Sequence, residues 1–153
     1  KVIANGATNV IPNEVKMEGT FRTLDEKWRA EAKIKIQEIA QGIAKSMGGS
    51  CDIEIKNGYP YLINDEETTD ITRLAAEEYL GKENVVDLDI WMAAEDFAYY
   101  SQIIPACFYR LGTRNEAKGI TASVHTPNFD IDEHALSIGP GLMAYAAIKH
   151  LSA

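Results

Sequence analysis

At 153 residues the chain has room for one ordinary domain or two small ones, with a real core. Apolar residues make up 46% and charged residues 25%, which marks a globular chain and excludes a disordered one. A net charge of −8, with Lys and Arg only scattered after residue 60, excludes the clustered positive charge that nucleic acid or an anionic membrane surface requires.

The first sixty residues predict strand, strand, helix, strand. "KVIANGA" is short and extended, and a chain beginning with Lys in mid-strand reads as a piece of something longer. "VKMEGTFRTL" alternates, with Val15, Met17, Gly19 and Phe21 on one face and Lys16, Glu18, Thr20 and Arg22 on the other. Thr23 and Glu26 then offer a capping box. The helix behind it carries Ala32, Ile36, Ile39, Ala40, Ile43 and Met47 at helical spacing and ends at Gly48-Gly49. "CDIEIKN" alternates again as a half-buried strand. The expectation for this part is a small two-layer α+β sandwich, whose open sheet edge can pair with a second copy.

The character changes at "NGYPYLIND", which is turn chemistry. Asn64 or Asp65 caps a helix with Ile71, Leu74, Ala75 and Leu80 inward, stopped by Gly81. "NVVDLDI" reads as a short strand, "AEDFAYYSQII" as a helix ended by Pro105, and "ACFYRLG" as a strand buried on both faces of a parallel sheet. A long loop, 112–132, leads to a final Ala-rich helix in which Pro140 is tolerable only in the first turn. Alternating helix and strand make the fold class α/β, with a smaller α+β domain ahead of it. Cys51 and Cys107 lie far apart with no CxxC or Cys/His cluster, the pattern of buried reduced thiols in a cytoplasmic protein. No apolar run approaches the ~20 residues of a membrane-spanning helix, and no signal peptide is recognisable.

Four places carry candidate chemistry. His125, in "ASVHTPNFD", is either a structural histidine hydrogen-bonded in its loop or a metal ligand. Its loop follows a predicted buried strand, and sites in open α/β sheets cluster beyond the carboxyl ends of strands. His134 and His150 read as bystanders, near a helix start and at a helix end where a cation suits the dipole. Glu95 and Asp96 precede the aromatics Phe97, Tyr99 and Tyr100. Helix-dipole stabilisation accounts for the acids but not for the rings. Asn9 suits a turn before a strand, and Arg22 is either a surface arginine or a bidentate grip on a substrate carboxylate.

Five stretches in order, "NGATNVIPNEVKMEGTFRT", "NGYPYLIND", "MAAEDFAYY", "FYRLGT" and "SVHTPNFDIDEHAL", together resemble the aminoacylase-like metallopeptidases. The likeness covers essentially the whole chain. It is strongest to the branch of N-acyl-amino-acid amidohydrolases, hippurate hydrolases and auxin-conjugate hydrolases. It implies a catalytic α/β domain holding two divalent metals (zinc, manganese or cobalt), interrupted by a lid or dimerisation domain. Residues 1–61 then look like the latter part of the lid and 62–153 like the C-terminal part of the catalytic domain.

The resemblance makes His125 the C-terminal metal ligand and puts Glu95 close to the active site. Asn9 and Arg22 match lid positions that contact substrate, the arginine at its free carboxylate. Ala93 and Ala94 stand where the family commonly has glycines before Glu95. The remaining ligands, the catalytic glutamate and the lid histidine are expected upstream of residue 1, so this chain alone holds no catalytic residue. The implied reaction is hydrolysis of an N-acyl amino acid or small peptide by a metal-bridging water, with a homodimer through the lid. The alternatives are a dipeptidase or carboxypeptidase of the same family, and a fragment whose only competence is dimerisation.

Overall fold

The structure is a computed structural model that describes residues 1–152. The chain divides into two compact units, Lys1–Asn57 and Gly58–Ala153.

In the first unit, β1 (Val2–Ile3) pairs antiparallel with β2 (Lys16–Met17), Val2 opposite Met17 and Ile3 opposite Lys16. The backbone N–H of Glu18 continues the ladder to the Lys1 carbonyl at 2.9 Å. The ladder is far shorter than the alternation predicts. Val15, Met17 and Phe21 are all exposed, so the periodic face exists but nothing among the described residues covers it.

Helix α1 (Glu26–Ser46) starts at Asp25, whose carboxylate accepts the Trp28 N–H at 2.9 Å. The expected Thr23–Glu26 capping box does not form. Thr23 Oγ1 instead accepts the Asp25 N–H at 3.2 Å, and the carboxylate two residues on is the stronger acceptor for the helix N–H. Of the predicted stripe only Ala32 is buried, while Ile39 is 60% and Met47 82% exposed. Helix α1 does not pack on β1 or β2, so the expected two-layer sandwich is not formed. A pair two residues long offers no apolar face wide enough to bury a helix. "CDIEIKN" likewise forms no ladder, although Cys51 and Ile53 are half-buried, because alternation marks a face and pairing needs a neighbouring strand.

The end of α1 follows its sequence signal. The Gly49 N–H reaches the Ala44 carbonyl at 2.9 Å and the Gly48 N–H that of Lys45 at 3.1 Å, with Gly48 at φ +80°, a Schellman motif. A Cβ at Gly48 would meet nothing within 4 Å, so replacement costs backbone strain alone. Gly48→Ala is expected to destabilise by about 1 kcal/mol, read as a lower thermal midpoint of the helical signal. An unchanged or raised midpoint would contradict the motif.

The second unit is built on α2 (Glu66–Leu80) and α4 (Ala135–Ser152). Asp65 caps α2, its Oδ1 accepting the Thr68 N–H at 2.9 Å and the Thr68 hydroxyl at 2.7 Å, and Gly81 closes the helix at φ +90°. The packed face is Thr72, Ala75 and Ala76 against Leu142 and Ala146, with Ala75 1% and Leu142 3% exposed. Leu74, predicted inward, is exposed. Small side chains let the helices approach closely, and a Cβ at Gly141 would collide with the Tyr79 hydroxyl.

The rim of this contact is polar. Glu78 Oε2 accepts from the Tyr145 hydroxyl at 2.7 Å and lies 2.5 Å from Lys149 Nζ. Lys149 and Tyr145 hold the Glu78 carboxyl below its ordinary range. His150 Nε2 lies 3.0 Å from Thr72 Oγ1, whose own proton is directed at the Thr68 carbonyl 2.7 Å away, so the ring nitrogen donates.

Pro140 is the sixth residue of α4, beyond the first turn that the sequence requires of it. The helix runs through, leaving the Leu136 carbonyl without its usual amide donor between two flanking glycines.

The predicted strands 84–90 and 106–112 have no ladder, and no parallel sheet is present among the described residues. The Asn64 side chain instead brackets one residue of the apolar run, accepting the Phe108 N–H at 2.8 Å and donating to its carbonyl at 3.0 Å. The Asp65 N–H adds a bond to the Ala106 carbonyl at 2.9 Å. The long helix expected after residue 93 shrinks to the single turn α3 (Ala98–Ser101), around the fully buried Ala98. The structure is thus mixed helix and small sheet, compatible with α/β. No helix is long and apolar enough to cross a membrane among the described residues.

Candidate functional site

The loop that carries His125 is built from its base. Asn115 Oδ1 accepts the Lys118 N–H at 3.2 Å and caps a 3₁₀ turn, 116–118, closed by Gly119 at φ +73°. Asn115 and Ile120 then exchange backbone bonds of 2.9 Å in both directions. The far end returns at Asp132, whose N–H meets the Thr113 carbonyl at 2.9 Å.

The Asp132 carboxylate gathers the rest of the base. Oδ2 accepts from Asn115 Nδ2 at 2.5 Å, and Oδ1 accepts from Lys118 Nζ at 2.6 Å and from the His134 N–H at 3.3 Å. The Asp132 side chain is 15% exposed. Lys118 above all, then Asn115 and the His134 amide, hold this carboxyl far below the ordinary carboxylate range.

The sign of the pH effect follows. A depressed folded value means that the pairing stabilises the loop fully above the unfolded value of about 3.9 and loses that contribution as pH falls below it. Opening of 113–132, followed by amide exchange corrected for intrinsic rates, is therefore expected to become easier below about pH 4. A flat profile there would contradict the pairing.

His125 lies in this loop, at φ +64° in the left-handed region. Histidine is enriched there over most side chains, but the conformation is uncommon enough to need support. The turn supplies it: Thr126 Oγ1 donates to the Ser123 carbonyl at 2.7 Å, and the Phe129 N–H to the Thr126 carbonyl at 3.1 Å. The imidazole is exposed and makes no hydrogen bond among the described residues. A structural histidine would use its ring; here the Thr126 hydroxyl and the Phe129 amide hold the turn and both ring nitrogens are left over.

Glu95 is half-buried, its Oε1 3.4 Å from the Phe97 N–H and its carbonyl accepting from the Ala98 N–H at 3.2 Å. It precedes one helical turn rather than a long helix, so the dipole it could stabilise is small. Next along the chain, the Phe97 ring lies tilted against those of Phe108 and Tyr100, with centroids 5.4 Å and 5.7 Å away. His125 and Glu95 share no hydrogen bond. Among the described residues no group of three or more His, Cys, Asp or Glu could hold a metal ion. The described residues therefore do not by themselves make a metal centre.

Asn9 and Arg22 belong to the first unit. Asn9 sits in the exposed two-residue turn between Ala7 and Val10, closed by the Val10 N–H on the Ala7 carbonyl at 3.1 Å. Arg22 is exposed. Arg29 pairs with Glu26, Arg73 with Asp87 and Arg114 with Glu116, while Arg110 lies over the Trp91 ring. Among the described residues Arg22 alone of the arginines has no such partner.

The residues that organise the loop, Asn115, Lys118 and Asp132, escape the sequence reading. "NEAKG" does carry a local signal, an Asx cap followed by a left-handed glycine.

Residues 4–149 match the profile of Peptidase family M20/M25/M40, and the chain belongs to that family. It is 34% identical over 142 residues to thermostable carboxypeptidase 2 of Saccharolobus solfataricus, covering 92% of this chain and 35% of that protein. It is 33% identical over 155 residues to IAA-amino acid hydrolase ILR1-like 4 of Arabidopsis thaliana, covering 99% and 35%. With the putative amidohydrolase YhaA of Bacillus subtilis it shares 32% over 148 residues, covering 97% and 37%. These names fall in the branch that the sequence motifs resemble. The chain spans little more than a third of the length of these curated relatives.

Proposed function

We propose that the protein to which this chain contributes is a metal-dependent amidohydrolase that cleaves N-acyl amino acids into a carboxylic acid and a free amino acid. The observation that carries the reading is His125, an exposed imidazole with both ring nitrogens unused, in a turn that holds itself without it. In this reading His125 is one metal ligand, Glu95 lies near the site, and Asn9 and Arg22 bind substrate. The other ligands and the general base come from residues outside this chain. Residues 1–61 are the latter part of a lid, and 62–153 the C-terminal part of the catalytic domain. Family membership supports divalent metals.

The relatives' names support the substrate class. A carboxypeptidase and a hydrolase of IAA-amino acids both cut an amide whose nitrogen belongs to an amino acid with a free carboxylate. An unpaired arginine suits that carboxylate, because the guanidinium fork matches it bidentately. The test is a substrate panel on the full-length protein, with and without chelator. Turnover of N-acyl amino acids that chelation abolishes supports the reading. Turnover confined to peptides favours the dipeptidase or carboxypeptidase alternative, for which the carboxypeptidase relatives speak. Sedimentation of this chain by itself tests the remaining alternative, a fragment whose only competence is dimerisation, and a monomer at high concentration counts against it.

A further inference from the structure

The geometry points to Asp132 and Lys118 as positioning residues for His125, acting through the base of its loop rather than by touching its ring. This rests on the reading of His125 as a site residue.

Three stretches of chain meet at Asp132, two of them at its carboxylate and one at its backbone N–H. The 3₁₀ turn contributes the Asn115 amide at 2.5 Å and the Lys118 ammonium at 2.6 Å. The approach to α4 contributes the His134 N–H at 3.3 Å, and the Ala135 N–H takes the Asp132 carbonyl at 2.9 Å. The Asp132 N–H fastens the segment to Thr113 at the loop's entry. Between these anchors, residues 121–131 form no helix or strand. Among the described residues the left-handed turn at His125 is shaped locally by the Thr126 hydroxyl bond and the Phe129 amide bond. Where the imidazole sits relative to α4 is therefore set by the closed base. A clamp of this kind matters because a displacement of about 1 Å at a reacting centre can cost about a hundredfold in rate.

Two variants of the full-length enzyme separate clamp from fold. Asp132→Asn keeps the shape but turns one oxygen into an NH₂ facing a donor, either Asn115 Nδ2 or Lys118 Nζ. Lys118→Met removes the ammonium from a residue whose side chain is 55% exposed, where folding tolerates the change. Both are expected to lower kcat about tenfold with KM nearly unchanged, and Lys118→Arg is expected to restore it. Amide exchange in 120–131 should quicken, while α2 and the body of α4 keep their protection. A merely structural role would instead move the global thermal midpoint and leave kcat per folded molecule intact; that result overturns the clamp.

His125→Asn, run alongside, keeps the two ideas apart. An inactive His125→Asn beside Asp132→Asn with unaltered kcat and loop exchange overturns the clamp and leaves the reading of His125 standing. Full activity in His125→Asn overturns that reading, and the positioning role with it.

Discussion

Replacing His125 with Asn in the full-length enzyme is expected to lower kcat/KM by more than about a hundredfold while the fold stays in place. Groups that merely support a ligating histidine are worth about ten- to a hundredfold, so loss of the ligand itself should exceed that range. The choice of Asn matters. Residue 125 sits at φ +64°, and Asn tolerates the left-handed region better than Ala, so the substitution removes the imidazole with little backbone strain. The ring is exposed and bonds nothing among the described residues, so its removal should change stability by no more than about 0.5 kcal/mol. Activity and thermal midpoint measured on the same sample decide the matter. Retained activity refutes the assignment. A large fall in the midpoint would show that the ring has a structural duty the turn does not reveal.

How far the sequence carried the fold depends on which forces are local. The ends of α2 are legible to within a residue, Asn64 or Asp65 before it and Gly81 after it, because a cap is settled within three or four residues; the structure selects Asp65. The Schellman end of α1 at Gly48-Gly49 was legible for the same reason. The start of α1 shows the limit. Thr23 and Asp25 both offer an oxygen, and their competition is decided by which one reaches the free N–H groups.

Strands fared worse. Alternation at 15–22 and 51–57 and the apolar run at 106–112 describe surfaces that would suit a sheet, but a ladder needs a neighbour. Residues 106–108 take their bonds from the Asn64 side chain and the Asp65 amide instead. The face of α2 that packs was also only half legible. The stripe predicts a side that includes Leu74, whereas the buried residues of α2 are Thr72, Ala75 and Ala76.

The candidate site divides the same way. The loop made His125 a candidate, either structural or a ligand, and only the family resemblance implies the ligand. Asn9 and Arg22 read from the sequence as a turn residue and as either a surface arginine or a carboxylate grip, and only the family resemblance implies that both contact substrate. The Asp132 clamp was invisible because its partners lie 14 and 17 residues away, at separations that no periodicity encodes.

Arg22→Ala in the full-length enzyme should act on binding. A charge-assisted bidentate bond to a carboxylate is worth about 1.5–3 kcal/mol, which corresponds to about ten- to a hundredfold in KM for substrates with a free carboxylate. On esters or amides of the same substrates, where that charge is absent, the variant and the wild type should differ little. Arg22→Lys should fall between, because an ammonium keeps the charge but loses the fork. The unpaired state of Arg22 makes the comparison clean. No ion pair among the described residues is broken by the substitution, so a stability change should not confuse the reading. An equal loss on charged and uncharged substrates would mean that the side chain does not recognise the carboxylate. A loss in kcat alone would move its role from binding to the chemical step.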